Sequence, residues 1–489
     1  PLTRRARGCG NAGTVPRAQT GGGSLNLRTA MMHRQAPISI RFAALAATLL
    51  ATGACRTGSP PDTAAGSADS VARPTATAAA DRARQPPSTG NAVIPGIEIL
   101  LRDSMHLVRG KRVGLITNQS AVTRSGELGA DVLARTPGIQ LVALFGPEHG
   151  IRGNLEAGAT FVGGRDTKTG VVVHSLYDRT QRPTAEELAN VDVLVFDIQD
   201  IGARVYTFVW TMAMAMEEAA KKGIPFVVLD RPNPITDMQD GPVMDLEVKT
   251  VTQVITGYYS VPLRHGMTAG EIARYYNEDA KIGADLHVVP AENWNPSTWF
   301  EQTGLRFIPP SPNIRSVDAA LNFTGLVLGE ATSVHVGRGT DAPFHYVGAP
   351  WLDANRLRDA VAKYNLAGVR FTPTQITPTT DPAVHTEYRG QTFTTLRLDV
   401  TDRATYRPAY TALVLLSEAK KQNPAQFKIN NTGFTQMLGS HWARPAFDRG
   451  EDPRVIDERW RRELAEWNRT KRERYRIYPR TGGTAATGG

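Results

Sequence analysis

Four short apolar runs, each stopping at a polar cluster, limit what this chain can fold into more than any other feature. They span residues 111–117, 139–145, 191–197 and 224–230, and all are rich in β-branched residues. Continuous apolar runs of this length are typical of strands buried on both faces, and such strands pair in parallel. Helical patterns lie between them at residues 128–135, 185–189 and 206–222, the last with Gly223 as its C-terminal stop. This alternation predicts an α/β fold, a Rossmann-like doubly wound parallel sheet occupying residues 93–351.

Ligands bind such sheets beyond the carboxyl ends of the strands. The four ends carry Asn118-Gln-Ser, Gly-Pro-Glu148-His149-Gly, Asp197-Ile-Gln-Asp200-Ile-Gly-Ala-Arg204 and Asp230-Arg231-Pro-Asn233. Helix caps and turns explain any one cluster. Four on one rim, mixing carboxylates, guanidinium groups and amides, predict a site. No Gly-x-Gly-x-x-Gly follows the first strand, and no Walker, Gly-x-Ser-x-Gly or His-Glu-x-x-His pattern occurs. The ten histidines have no metal-ligand spacing. The expectation is a site with no cofactor and no metal.

From Leu352 the texture changes. A helix is predicted over residues 351–364, an alternating strand over 392–400, a helix over 408–422 with Pro408 in its first turn, and a charged helix over 456–474. Residues 352–480 therefore read as a smaller α+β domain packed on the first, with 481–489 as a disordered tail.

The net charge of +9 is misleading as a whole-chain figure. Residues 1–92 hold 11 Arg, no Lys, three Asp and no Glu, so the remainder is nearly neutral and no nucleic-acid partner is expected. Met31, Met32, Arg34 and Arg41 precede an apolar stretch over residues 42–50, and then comes Ala51-Thr-Gly-Ala-Cys55. This order resembles a bacterial lipoprotein signal at residues 31–55, in which Cys55 would be lipidated. Thr52 stands where such signals usually have Leu. Residues 1–30 read as an upstream extension and 56–92 as an Ala/Pro/Ser/Thr-rich disordered linker. The expected location is that of an exported lipoprotein, periplasmic or at the outer membrane, touching the membrane only through its lipid. The two cysteines, Cys9 and Cys55, both precede the body, so disulfides do not hold it together.

Gly-Pro-Glu148-His-Gly, Phe-Asp197-Ile-Gln-Asp200-Ile-Gly-Ala-Arg204-Val-Tyr206-Thr, Leu-Asp230-Arg-Pro-Asn-Pro, Arg264-His-Gly-Met-Thr-Ala-Gly-Glu271, Pro-Ser311-Pro-Asn313, Gly337-Arg-Gly-Thr340 and Gly348-Ala-Pro-Trp351 follow one another in this order. Together they resemble the exo-β-N-acetylmuramidase family of peptidoglycan recycling, formerly a domain of unknown function, over roughly Val93 to Tyr478. The resemblance implies a hydrolase that removes N-acetylmuramic acid from non-reducing ends of peptidoglycan fragments, with its active-site cleft between a Rossmann-like domain and a smaller C-terminal one. One stretch departs from the family. Glu330-Ala331-Thr332-Ser333 replaces the usual Glu-Gly-Thr-Asn, and His335 stands where serine is common.

Glycoside hydrolysis needs an acid for the leaving oxygen and a second group that attacks or activates water, usually two carboxylates. Glu148, in a Gly/Pro turn at a strand end, is the candidate acid. The second group is Asp197, Asp200 or Glu330; Glu271 reads better as a helix-start charge. An N-acetyl sugar also allows its own acetamido oxygen to attack. Arg204, Arg231 and Arg338 suit the lactyl carboxylate of muramic acid. Asn118, His265 and Asn313 suit hydroxyl or acetamide groups, and Tyr206 or Trp351 an apolar sugar face. His149 and Asn233 complete the rim as substrate contacts. The competing reading is a non-catalytic cell-wall-binding lipoprotein with the same fold.

Overall fold

Each of the four apolar runs forms a strand in the computed structural model, which describes residues 92–479 except 154, 156–162, 179 and 249–254. The signal, Cys55 and tail expectations lie outside the described residues. In chain order the first part runs α1 (Gly96–Asp103), β1 (Arg112–Thr117), α2 (Gly129–Arg135), β2 (Gln140–Gly146), β3 (Gly164–Arg165), β4 (Val172–Ser175), β5 (Val193–Asp197), α3 (Phe208–Lys222), β6 (Phe226–Leu229), the hairpin β7 (Asp240–Val243) and β8 (Pro262–Arg264), α4 (Ala269–Asp279) and β9 (Leu286–Val289). The sheet order is β3-β4-β2-β1-β5-β6-β9, with only β3 antiparallel to its neighbour. The chain starts at β1, builds outward to β4, then returns to the other side of β1 as β5. That reversal opens a crevice at the carboxyl ends of the central strands.

Alternate side chains of each strand enter different cores. Val193 and Val195 of β5 pack with Val113, Leu115, Ile97 and Leu133 on one face. Leu194 and Phe196 pack with Phe145, Phe208 and Met212 on the other. Burial on both faces is why the runs are apolar without alternation. Helix α3 ends at Gly223, whose φ of 71° is the left-handed cap the sequence predicted. Residues 185–189, expected to be helical, are turns. Leu188 alone anchors them in the core, and one anchored turn cannot offset the cost of helix nucleation.

The second part runs α5 (Val317–Leu326), β10 (Tyr346–Gly348), α6 (Ala354–Ala362), β11 (Val369–Ile376), β12 (Phe393–Val400), α7 (Pro408–Gln422), α8 (Asn431–Leu438), α9 (Ala443–Arg449) and α10 (Pro453–Thr470). It holds an antiparallel sheet, β10-β12-β11, whose central strand alternates in burial as expected over 393–395 and 396–399, with a break where Thr395 and Leu396 are both buried. This is the smaller C-terminal domain, with an α+β texture. Residues 471–478 then return to the first sheet. The Tyr478 hydroxyl donates to Asp230 Oδ2 at 2.8 Å and accepts from the Ala291 amide at 2.9 Å. Among the described residues no helix is long and apolar enough to cross a membrane.

Candidate active site

The crevice side chains come from loops that the sheet holds in place. After β2 the backbone turns through Pro147, with His149 and Gly150 at φ 72° and 71°. The His149 ring is buried and its Nδ1 bonds the Leu155 carbonyl at 2.8 Å, so it fixes the turn that presents Glu148. Glu148 is half-buried and accepts from the Thr207 hydroxyl at 3.0 Å. Burial raises the Tyr177 hydroxyl pKa above its usual value, and the charge of Glu148 and a hydrogen bond to it add to the rise. Tyr206, next to Thr207, is buried; desolvation pushes its hydroxyl far up, the charges of Glu148 and Asp200 add to the push, and Arg338 opposes them. Glu148, Asp200, Tyr206 and Arg338 thus share one electrostatic environment, although they come from four places in the chain.

The loop of residues 309–313 covers the end of β1. Gln119 Nε2 holds it by bonding the Pro309 and Pro310 carbonyls, both at 2.9 Å. Ser311 stands beside the Tyr206 hydroxyl without meeting hydrogen-bond geometry, and Asn313 is buried in the same turn. Asn118 is fully buried; its Oδ1 accepts from the Ser120 amide at 3.0 Å, and the Ser120 hydroxyl accepts from the Gln199 amide at 3.2 Å. Asp200 Oδ2 accepts from the Gly202 amide at 2.7 Å, with His265 Nε2 at 3.5 Å from the same oxygen.

Four expected site residues are used up inside the protein. Asp197 is bound by Arg231 through two parallel bonds of 2.6 and 3.0 Å, and both side chains are buried. The third Arg231 nitrogen bonds the Val122 carbonyl at 2.9 Å, which removes Asp197 from the acid/base candidates and Arg231 from carboxylate recognition. Arg204 is entirely buried; it donates to the Met437 and Leu438 carbonyls at 2.8 and 3.2 Å and touches Met244, so it joins the two parts of the chain and does not reach a ligand. The Asn233 amide bonds the Met267 carbonyl at 3.0 Å and the Ile235 amide at 3.1 Å, which makes it a turn brace. Glu271 closes a capping box with Thr268 at the start of α4, as its position suggested.

Two family models match in tandem, the N-terminal domain of the exo-β-N-acetylmuramidase NamZ over residues 113–318 and its C-terminal domain over residues 321–478. The chain belongs to this family. It is similar to the peptidoglycan β-N-acetylmuramidase NamZ of Bacillus subtilis strain 168, at 40% identity over 385 residues, covering 78% of this chain and 91% of that protein. Two crystal structures of DUF1343 family proteins from Bacteroides fragilis share the fold. One has a TM-score of 0.73 at 30% identity and the other 0.62 at 26%, each covering 79% of this chain and 99% of the other. Family membership makes the chain a glycosidase.

The stretch that departs from the family's pattern forms a wall of its own. Glu330 and Arg338 are in direct ionic contact, and the guanidinium lies 5.2 Å above the Phe344 ring. They line a cavity of about 310 Å³ with Thr332, His335, Thr386 and Glu387. His335 Nδ1 accepts from the Gly337 amide at 3.0 Å, so its Nε2 carries the hydrogen and faces the Arg338 carbonyl at 3.1 Å. The ring braces the Gly337-Arg-Gly339 turn, and burial depresses its pKa to about 4. A larger cavity, about 750 Å³ between β2, β4 and residues 180–191, contains none of the rim residues. Trp351 packs edge-on against Phe427 and donates to the Tyr388 hydroxyl at 3.1 Å.

Tyr177, Thr207 and Thr386 were not anticipated. Tyr177 follows β4, a strand of four residues too short to stand out by periodicity, and Thr207 carries no pattern of its own beside Tyr206. Among the described residues Asp245, Glu247 and His441 bring three ligand atoms within 4.8 Å of one another; this exposed group shares no residue with the Glu148 cluster.

Proposed function

We propose that this glycosidase is exo-acting and releases N-acetylmuramic acid from the non-reducing ends of peptidoglycan fragments, with Glu148 as proton donor to the leaving oxygen. The observation that carries the reading is Glu148 itself, half-buried at the carboxyl end of β2 between Thr207, Tyr177 and Tyr206, in a chain 40% identical to a peptidoglycan β-N-acetylmuramidase. A carboxyl group shielded from water beside hydroxyl donors is suited to passing one proton and taking it back. Arg338 is the remaining guanidinium in the same environment as Tyr206, and in this reading it faces the lactyl carboxylate while Glu330 steadies it. The substrates are muropeptides or disaccharides ending in N-acetylmuramic acid, and the role is cell-wall turnover and recycling. The protein is an exported lipoprotein, lipidated at Cys55 and facing the periplasm or the outer membrane, a reading supported by the order of residues 31–55.

The test is release of a chromogenic aglycone from a β-linked N-acetylmuramic acid glycoside by the full chain, beside the N-acetylglucosamine analogue and the Glu148→Gln variant. Turnover of the muramic substrate, lost in the variant, is the expected result. Turnover that survives Glu148→Gln removes the assigned acid, and equal turnover of both sugars removes the muramic specificity.

A further inference from the structure

Among the described residues the buried polar atoms that lack a hydrogen-bond partner include Asn118 Nδ2, Asp200 Oδ1 and the Tyr206 hydroxyl, all on side chains at least nine-tenths buried and all at the crevice. Each such atom needs a partner that the fold does not supply, a water or a ligand, and in a crevice that opens to substrate a ligand can be that partner. The pair formed by Asp200 and Tyr206 is the most informative. Asp200 Oδ2 is occupied by the Gly202 amide and faced by His265 Nε2. The His265 Nδ1 accepts from the Met267 amide at 3.1 Å, which leaves the ring hydrogen on Nε2, toward Asp200. The carboxylate plane is therefore set from behind, and Oδ1 is the oxygen left to accept. The Tyr206 phenol, buried and with its hydroxyl hydrogen unclaimed, opens on the same crevice and feels the charge of Asp200. An acceptor and a donor that open on one crevice can take the N–H and the C=O that leave from opposite edges of a secondary amide.

We propose that Asp200 Oδ1 and the Tyr206 hydroxyl hold the 2-acetamido group of the terminal sugar, N–H to carboxylate and C=O to phenol, with His265 as the positioning residue of Asp200. The inference rests on the exo-muramidase reading and deepens it to a mechanism. The other carboxylates named as candidates are engaged, Asp197 by Arg231, Glu330 by Arg338 and Glu271 by its helix cap. The attacking group is then the acetamido oxygen. It forms a bond to C1 as the C1–O glycosidic bond breaks, the departing oxygen takes the Glu148 proton, and the acetamido N–H is shared with Asp200. Water next adds to C1, the ring formed by the acetamido oxygen opens, and the water's proton returns to Glu148. The sum is hydrolysis with the anomeric configuration retained.

The test uses the full chain and a series of chromogenic β-muramic acid glycosides whose N-acyl group carries no, one, two or three fluorines. Each fluorine weakens the acyl oxygen as a nucleophile, so kcat/KM falls along the series, by on the order of 100-fold or more to the trifluoro member. Asp200→Asn lowers kcat by on the order of 100-fold with KM nearly unchanged. His265→Leu does likewise, and His265→Gln, which keeps a donor toward Asp200, recovers part of the loss. The fluorine dependence is a readout that a merely structural role for these residues would not produce. A flat series in the unaltered chain overturns this inference and leaves the muramidase reading standing, as does an Asp200→Asn variant with unaltered kcat. No turnover of any muramic glycoside overturns the proposed function, and this inference with it.

Discussion

Glu148 and Asp197 sit at the ends of strands that flank β1 on either side, and in sequence they look alike as carboxylates after apolar runs. Their partners separate them. Glu148 meets hydroxyl groups and remains half-buried, whereas Asp197 meets a guanidinium and is sealed. Glu148→Gln should therefore lose on the order of a hundredfold or more in kcat with little shift of the urea midpoint. Asp197→Asn strands a buried Arg231 and should lose roughly 3–5 kcal/mol of stability. Rate and urea titrations on both variants decide it, and an Asp197→Asn protein that is folded but inactive would reverse the assignment. Spacing along the chain could place both residues on the rim. It could not show that Arg231, 34 positions from Asp197, lies one strand over and faces it. Asp230 supplies a pH signature at the same scale. Burial lifts its folded pKa to about 6, against the bonds from Thr268, Gly270 and Tyr478. The folded state then holds a proton that the unfolded chain has released, so this group's stabilising contribution is full below about pH 4 and is lost as pH rises through 6. Asp230→Asn should remove that slope from a series of thermal melts between pH 4 and 7.

At the scale of elements, the long runs were legible and the short ones were not. Strands β1, β2, β5 and β6 and helices α3, α4, α7 and α10 follow from apolar runs, caps and a first-turn proline. β7, β8 and β10 have three or four residues each and owe their conformation to partners distant in sequence, which periodicity cannot register. The Gly337-Arg-Gly339 turn was visible as a glycine pattern, but its brace was not. His335 titrates in the opposite sense to Asp230. Its folded pKa is depressed to about 4, so its contribution is present above about pH 6.5 and lost as pH falls through 4. The two effects overlap and partly cancel in the parent protein, and only variants separate them. In His335→Gln the stability should fall less between pH 6.5 and 4 than in the parent; an unchanged acid slope would show that the ring does not hold the turn. The junction between α8 and α9 is equally specific. Gly439 has φ 67°, and a Cβ there would lie 1.9 Å from the Arg204 guanidinium. Gly439→Ala should cost on the order of 1–3 kcal/mol or more in a denaturant titration through strain and displacement of that arginine.

For the whole molecule, the presence of a smaller C-terminal domain was readable from the change of texture along the chain, but not that β10, before residue 351, pairs with β12 in its sheet, nor the return of residues 471–478. That stretch reads as a charged helix end. In the structure it places the Arg476 guanidinium 3.0 Å from Asp237, the Ile477 amide 3.0 Å from Glu271 and the Tyr478 ring among Val93, Ala291 and Trp294. Tyr478→Phe removes the donor to Asp230 and the acceptor for Ala291, and should cost about 1–3 kcal/mol in a urea titration. An unchanged midpoint would make the clasp ornamental. The clasp also sets an order in time. Asp230 and Tyr478 are 248 residues apart, and a ribosome adds roughly 5–20 residues each second. The aspartate therefore leaves the ribosome on the order of ten to fifty seconds before its tyrosine exists. The first domain to be made is among the last parts of this protein to be finished.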